Sequence, residues 1–287
     1  MASQSTAVPG GPRGAREDGR PRLDFDGGTP YAEYAAIDVL LDLRRPRTDE
    51  PAETDFIVAT QVMELLFDLL AEHWVRARDA LERDDVPAAL AELRKGTRVQ
   101  DVLVSSWDLL ADLTPTEFAR FRSAFGEASG FQSHTYRRLE FLIGNKSAAM
   151  LRPYQDAPRA RADLERALAE PGLYDAALRL LARRGLPVPA EAVDRDWTRP
   201  YRPDPGVERA WAGVYADDTP GNELFLLAEA LLDTAERVTR WRWRHLSAVK
   251  RSLGAKPGSG GSDGVRWLAG NAARDVFPEL WSLRAAL

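Results

Sequence analysis

The sequence predicts an all-α fold, a helical bundle with long central helices. Two observations predict it: apolar residues recur at three- and four-residue spacing over most of the chain, and no run alternates apolar and polar residues as a strand does. The 287 residues are 44% hydrophobic, which is enough for one large domain with a substantial core or for two small ones. Residues 1–28 are rich in Gly, Pro, Ser and Arg, so we expect them to form a disordered leader.

The composition excludes several classes of site. The chain has no cysteine, which excludes disulfides, zinc-thiolate sites, iron–sulfur clusters and cysteine nucleophiles. The net charge of -5 does not indicate a nucleic-acid partner. No apolar run reaches the roughly 18 residues that cross a bilayer, and the N-terminus has no apolar signal core. We therefore expect a cytoplasmic protein that binds neither nucleic acid nor membrane.

Two long helices are predicted in the first half of the chain. The first runs from Thr54 to about Arg83, because its apolar residues fall on one face, and Thr54 or Asp55 can cap its start. The second runs from about Pro87 to Leu113 with the same spacing.

A short helix follows the two long ones. Residues 114–117 read Thr-Pro-Thr-Glu, a capping box with proline at the first helical position. Gly126 and Gly130 are expected to end this helix, since glycine is common after helix C-termini. The next helix is predicted over residues 132–151.

The second half of the chain is less regular until its last long helix. Residues 152–220 contain many prolines, with short amphipathic helices expected around Ala162–Leu168 and Tyr174–Arg184. The last long helix is predicted over about Asn222 to Leu253. After a Gly/Ser loop, a short helix and the segment Phe277–Trp281 close the chain.

His245 is a candidate metal ligand on the last long helix. A core histidine with a satisfied hydrogen bond is the common situation, whereas an axial haem ligand is the functional alternative. The basic residues around it could meet haem propionates, or they could form a solvated face: Arg242, Arg244, Lys250 and Arg251.

Three further groups could bind a substrate. Phe118 and Arg122 share one face of the short helix, and the arginine fork fits the carboxylate of an aromatic amino acid, although a surface arginine is the simpler explanation. Gly258–Ser262 presents N–H groups and hydroxyls that suit an anion, or it is a mobile surface loop. Phe56 and Thr60 also share a helix face, where a core phenylalanine and a threonine bonded to its own helix are the ordinary case.

Together and in this order, these segments resemble the tryptophan 2,3-dioxygenase family. The resemblance extends from about residue 30 to the C-terminus. It is carried by Tyr31-Ala32-Glu33-Tyr34, Phe56-Ile57-Val58, Ser106-Trp107-Asp108, Ser129-Gly130-Phe131-Gln132-Ser133, Gly144-Asn145-Lys146, the stretch Trp241–Gly264 and Phe277-Pro278-Glu279-Leu280-Trp281.

The resemblance implies a single all-helical haem oxygenase domain over residues 29–287, with haem b as cofactor and a homotetramer as the assembly. It implies that His245 is the proximal iron ligand. Arg122 would bind the substrate carboxylate, Phe118 would pack near the substrate, and Phe56 would form a wall beside the indole.

The same resemblance implies four more site residues and one catalytic residue. Ser129 would line the distal pocket as a catalytic residue. Gly258 and Ser259 would bind the substrate, with Ser259 where the family has a threonine touching the amino acid group. Tyr31 and Tyr34 match a segment that in this family reaches into the active site of a neighbouring subunit.

The chain departs from the family pattern at Thr60. The pattern Phe-x-x-x-His-Gln reads Phe-Ile-Val-Ala-Thr-Gln over residues 56–61, so the distal histidine is replaced. Threonine is smaller, offers only a hydroxyl and cannot accept a proton near neutral pH. We therefore expect Thr60 to be a catalytic residue, together with Ser129, and to shape the reaction.

The sequence leaves three functions open. The expected one is a haem monooxygenase that uses oxygen or peroxide, and an external reductant where oxygen is used, to convert tryptophan or a β-substituted tryptophan to a 2-oxindole. Monooxygenases of this kind, acting on β-methyltryptophan, belong to maremycin-type natural-product pathways. The alternative is a tryptophan 2,3-dioxygenase that gives N-formylkynurenine. A third possibility is a protein that binds haem or tryptophan without catalysis, or a helical scaffold.

Overall fold

The structure is a computed structural model that describes residues 20–21, 23–254, 256, 258 and 263–285. The chain divides into two compact units between Arg45 and Pro46. In the described part of the first unit, Thr29 caps helix α1 (Pro30–Tyr34), and helix α2 (Ile37–Asp42) follows. The leader predicted over residues 1–28 lies largely outside the described residues, and its boundary stays a prediction.

Helix α3 (Pro51–Glu82) opens the second unit one turn earlier than the sequence predicts. The expected cap at Thr54 or Asp55 is wrong, because both residues lie inside the helix. Proline occupies the first helical position, where its fixed φ suits the helix and its missing N–H is not needed. Glu50 is the N-cap residue.

The second long helix is shorter than predicted. Helix α4 spans Val86–Ser105 and continues as a 3₁₀ helix over Ser106–Leu110, so the regular α-helix ends before Leu113. Asp85 caps α4, with its side chain accepting from the N–H of Ala88.

Helix α5 (Pro115–Arg122) has the predicted capping box. The Thr114 hydroxyl accepts from the N–H of Glu117, and the Glu117 carboxylate accepts from the N–H of Thr114. A 3₁₀ turn over Ser123–Phe125 extends the helix up to Gly126. Gly130 does not end this element; it begins the next 3₁₀ turn, Gly130–Gln132.

The helix predicted over residues 132–151 is broken in two. Helix α6 spans His134–Leu142, and a 3₁₀ helix covers Ala148–Tyr154. The break lies at Gly144, whose φ of 91° is in the left-handed region that a non-glycine residue rarely adopts.

The remaining helices are α7 (Pro158–Ala169), α8 (Leu173–Arg183), α9 (Ala190–Val193), α10 (Pro205–Tyr215), α11 (Glu223–Ser252), α12 (Val265–Ala272) and α13 (Pro278–Ser282). The predictions for α7, α8 and α11 are close to these bounds, and Asn222 caps α11 as its sequence suggests. The sequence does not predict α9 and α10, which lie in the proline-rich stretch. The described residues are largely helical and contain no strand, which confirms the all-α class.

The core of the second unit forms along α3, α4 and α11. Helices α3 and α11 both pack against α4, and α6 and α8 pack against α3. Trp74, Leu70 and Leu93 are among the fully buried side chains at this junction. Among the described residues, no helix has the length and apolar character needed to span a membrane.

Candidate active site

One face of α3 carries Phe56, Thr60 and Glu64 at four-residue spacing. Phe56 contacts the aromatic rings of α5, and the Glu64 carboxylate accepts a hydrogen bond from the Thr135 hydroxyl at the start of α6. Thr60 therefore lies on the same face, between the contact with α5 and the contact with α6. Its hydroxyl donates to the carbonyl of Phe56 at 2.8 Å, and its side chain is exposed.

A cluster of four phenylalanine rings joins the start of α3 to α5. Phe56 stacks on Phe125 with centroids 5.0 Å apart, and its centroid lies 6.1 Å from that of Phe118. Phe121 is fully buried between them. The structure thus brings together the two predicted substrate-binding phenylalanines, which lie on separate helices. The sequence does not mark Phe121 and Phe125 as site residues, although their spacing continues the apolar face of α5 into the 3₁₀ turn that follows it.

Arg122 lies one turn after Phe118 on α5, so the two side chains share a face as the sequence predicts. The Arg122 side chain is partly buried. Two contacts fasten this region to the start of α3: Arg120 pairs with Glu50 at 3.1 Å, and Nη1 of Arg47 donates to the carbonyl of Ala124 at 3.0 Å.

Ser129 caps the 3₁₀ turn Gly130–Gln132. Its N–H donates to the Gln132 side chain at 3.1 Å, and its hydroxyl accepts from the N–H of Phe131 at 3.4 Å. The Phe131 ring meets Trp267 of α12 edge to face, with centroids 5.7 Å apart. The turn that carries Ser129 therefore lies against α12.

His245 lies on α11 among aromatic rings. Its imidazole stacks on Trp107 with centroids 4.9 Å apart and an interplanar angle of 13°, and it lies 5.4 Å from the Trp241 ring. Burial lowers the pKa of His245 to about 4, so the ring is neutral at physiological pH. Among the described residues we find no hydrogen bond to this ring. The satisfied hydrogen bond of an ordinary core histidine is therefore not observed.

These observations fit a haem ligand. Haem iron binds a neutral imidazole nitrogen. The His245 ring lies on the 30-residue helix α11 and stacks on Trp107, so its nitrogens have a fixed orientation. No cluster of His, Asp and Glu suited to a metal ion occurs in the part of the chain that the structure describes. His245 therefore stays the candidate haem ligand, and its stacking on Trp107 is a contact that the sequence does not predict.

The basic residues around His245 do not all face outward. Arg242 is only 3% exposed, and its guanidinium is bonded to backbone carbonyls, so the structure does not support a contact with haem propionates. Arg244 pairs with the carboxylate of Asp108. Lys250 and Arg251 are exposed near the end of α11.

Gly264 lies close to two described residues of the Gly/Ser segment after α11. Gly264 has a φ of 44°, and a Cβ added there would lie 3.2 Å from the carbonyl oxygen of Lys256 and 3.5 Å from the nitrogen of Gly258. Gly258 is partly buried at this contact. Ser259 lies outside the described residues, so its predicted contact with substrate stays a prediction.

Tyr31 and Tyr34 lie on α1 in the first unit. Their side chains are 75% and 95% exposed, respectively. Their predicted role in a neighbouring subunit stays a prediction.

Comparison with known proteins identifies the family. The family model for tryptophan 2,3-dioxygenase matches residues 17–287. Tryptophan 2,3-dioxygenase 1 of Ralstonia nicotianae is 41% identical over 266 residues, covering 93% of this chain and 90% of the relative. A tryptophan 2,3-dioxygenase of Burkholderia pseudomallei is 43% identical over 269 residues, covering 93% and 88%. That of Ralstonia pickettii is 40% identical over 266 residues, covering 93% and 96%. The chain therefore belongs to the tryptophan 2,3-dioxygenase family and is a haem-dependent oxygenase that acts on tryptophan.

Proposed function

We propose that this enzyme adds oxygen to the indole ring of a tryptophan-type substrate, and that His245 would hold the iron of haem b. The observation that carries the proposal is the His245 imidazole stacked on Trp107, to which no described residue donates or accepts a hydrogen bond. Bound haem supplies the oxygen chemistry that amino-acid side chains lack. The protein supplies the ligand, the substrate pocket and the orientation of the indole.

The side chains of α3 and α5 would orient the substrate. Arg122 would hold the substrate carboxylate with two parallel N–H donors, which fixes direction as well as position. Phe56 and Phe118 would contact the indole ring, and their separation of 6.1 Å shows that the two helices place both rings in one cluster. Ser129 would face the distal side. Together these contacts would orient the indole ring so that C2 is the atom that receives oxygen.

Two candidate reactions, dioxygenation and monooxygenation, differ in the number of oxygen atoms transferred to the indole ring. In dioxygenation, both atoms of O₂ enter the substrate, the C2–C3 bond breaks and N-formylkynurenine forms without an external reductant. The names of the relatives at 40–43% identity support this outcome better than monooxygenation. We therefore take dioxygenation as the first candidate.

The second candidate, monooxygenation, is favoured by Thr60. Its hydroxyl proton is directed to the carbonyl of its own helix, 2.8 Å away, and threonine accepts no proton near neutral pH. The smaller residue also leaves more room for a β-substituent. One oxygen atom would then enter at C2, and hydride migration from C2 to C3 would give the 2-oxindole. The second atom of O₂ would leave as water after two electrons arrive from a reductant such as ascorbate, or peroxide would serve as the oxidant.

Isotope counting separates the candidates. The haem-loaded enzyme is given ¹⁸O₂ with tryptophan or β-methyltryptophan, with and without ascorbate, and the products are analysed by mass spectrometry. Two labelled atoms in the product establish dioxygenation, whereas one labelled atom establishes monooxygenation. A parallel reaction with unlabelled peroxide in place of oxygen tests the peroxide route.

The assignment of His245 has its own test. His245→Ala should abolish the Soret band and turnover, whereas His73→Ala should keep both, because His73 pairs with Glu92 between α3 and α4. An unchanged spectrum and unchanged turnover in His245→Ala would overturn the proposal. Absence of a Soret band in the wild-type chain after haem supplementation would favour a scaffold without haem.

Thr60 variants test the second candidate. Thr60→His restores the family residue, and we expect it to raise the fraction of product that carries two labelled atoms. Thr60→Val keeps the shape without the hydroxyl and serves as the control. An identical product distribution in all three proteins would show that position 60 does not select the outcome.

We also propose a homotetramer located in the cytoplasm, in which Tyr31 and Tyr34 contact the substrate site of a neighbouring subunit. The support is their exposure on α1. Light scattering on the eluting protein measures the assembly directly. Tyr34→Ala should raise the KM for tryptophan only if this contact exists.

A further inference from the structure

A buried ionic network lies between α6 and α11, outside the residues assigned to the substrate. Its centre is Glu140 on α6, which is 1% exposed. The Glu140 carboxylate pairs with Arg137 of the same helix and lies 3.5 Å from Nη2 of Arg242 on α11. It also accepts a hydrogen bond of 3.1 Å from the side-chain amide of Asn145. Two arginines and one amide thus converge on a single buried carboxylate.

Arg242 connects this network to the end of α12. Its Nη1 donates to the carbonyls of Asn271 and Arg274, at 3.3 and 3.2 Å. The Arg274 guanidinium in turn donates to the side-chain oxygen of Asn145. The end of α12 is therefore held from two sides, by α11 and by the loop that follows α6.

The other arm of the network reaches the turn that carries Ser129. The Arg137 guanidinium lies over the Phe131 ring, 5.3 Å from its centroid. The same ring contacts Trp267 of α12. The network therefore touches both the Ser129 turn and α12, and these two segments also touch each other.

Stability alone does not account for such a network. Replacing a buried ion pair with well-packed apolar side chains is often neutral or stabilising, because charges lose their hydration when buried. Such a pair does hold a defined geometry, since its members bond only in certain directions. Arg242 precedes His245 by three residues, about one turn of the same helix. Arg242 therefore ties the end of α12 to α11 close to His245, the proposed iron ligand.

We propose that Glu140 and Arg242 are a positioning pair. They fix α12 and the Ser129 turn relative to His245, so that Phe131 keeps its contact with Trp267 and Ser129 keeps its proposed place in the substrate pocket. Neither residue touches the reacting atoms. The substrate part of this inference rests on the proposed function, whereas the placement of α12 does not.

The test compares Arg242→Met with Arg237→Met in the full-length, haem-loaded chain. Arg237 is the control, because it lies on the same helix with a side chain only 18% exposed, but it pairs with Asp101 of α4, at 2.8 Å, and with Asp233 of its own helix, at 3.2 Å. Hydrogen exchange of residues 263–274 is measured without substrate, and kcat and KM are measured with tryptophan. We expect Arg242→Met to speed exchange in α12 and to raise KM by about tenfold or more with a smaller change in kcat. Arg237→Met should leave both unchanged.

A conservative series keeps the inference testable if Arg242→Met does not fold. Arg242→Lys keeps the charge but can make fewer of these bonds, and Glu140→Gln removes the charge at the centre. Both should speed exchange in α12, with Lys intermediate between Arg and Met. If Arg242→Lys and Glu140→Gln both kept the wild-type hydrogen exchange in α12 and the wild-type KM, the proposal would be overturned. Equal effects of Arg242→Met and Arg237→Met on exchange and KM would also overturn it. If the chain does not turn over tryptophan, the exchange result still decides the role of the pair.

Discussion

The phenylalanine cluster that holds α5 can be tested by removing its most buried member. Phe121 has no exposed surface, and its centroid lies 5.8, 5.4 and 5.6 Å from those of Phe56, Phe118 and Phe125. Truncating a buried phenylalanine to alanine typically costs about 3–5 kcal/mol. Because Phe121 contacts three rings in a cluster, we expect Phe121→Ala to lower the free energy of unfolding by about 4 kcal/mol.

The surface contact nearby gives the comparison. Arg120 pairs with Glu50 at 3.1 Å, but its side chain is 61% exposed. Such exposed pairs contribute about 0–1 kcal/mol, so Arg120→Ala should lower the free energy of unfolding by less than 1 kcal/mol. Equal losses in the two variants would contradict the idea that the rings, rather than the ion pair, hold α5 against α3.

Urea unfolding measures the free energy of unfolding of both variants. Steady-state kinetics then test whether the packing of α5 affects substrate binding. Phe121→Leu keeps most of the apolar volume and should cost about 1–2 kcal/mol. If α5 positions Arg122, the KM for tryptophan should rise in the order wild type, Phe121→Leu, Phe121→Ala under conditions where all three are folded. An unchanged KM in folded Phe121→Ala would refute the link between the cluster and the substrate contact.

Three further predictions concern other parts of the fold. Hydrogen bonds from Lys95 and His73 lower the pKa of Glu92 to about 2, so the stability from this carboxylate is present above its ordinary pKa of 4.5 and is lost as the pH falls toward 2. Glu92→Gln should remove about 1–2 kcal/mol at pH 7 and much less at pH 2, as measured by urea unfolding at both pH values. Gly264→Ala should cost about 1–2 kcal/mol, because of its φ of 44° and its close approach to Lys256, and thermal unfolding checks this. Gly270→Ala, inside α12 with open space around it, should instead stabilise the protein by about 0.5–1 kcal/mol in the same assay.

The long helices were predictable because their apolar spacing persists over many turns. Helix α11 differs from its predicted bounds by one residue at each end, since Asn222 caps it and glycine follows it. Short elements were harder to predict. Pro205 begins α10 instead of interrupting it, and Gly144 breaks a helix whose apolar pattern continues beyond it. In both cases a single backbone preference outweighs the pattern of the side chains.

The site was predictable only in part, for a different reason. The four-residue spacing of Phe118 and Arg122 places them on one face, which local periodicity can show. The stacking of Trp107 on His245 joins residues far apart in the chain, and no local pattern marks it. Arg242 and Arg244 look alike in the sequence, yet one is buried against Glu140 and the other pairs with a surface aspartate. Burial of an individual charge depends on tertiary packing.

The proposed iron ligand and the proposed substrate contacts lie on different helices, and this placement affects how the enzyme can change its substrate. The proposed iron ligand, His245, belongs to a 30-residue helix that packs into the core, whereas the predicted substrate contacts Phe118 and Arg122 belong to an eight-residue helix near the surface. Mutations at the less buried positions of the short helix, unlike truncation of Phe121, would reshape the proposed binding pocket at little risk to the cofactor. New substrate preferences are therefore more readily selected or engineered in α5 than anywhere along α11.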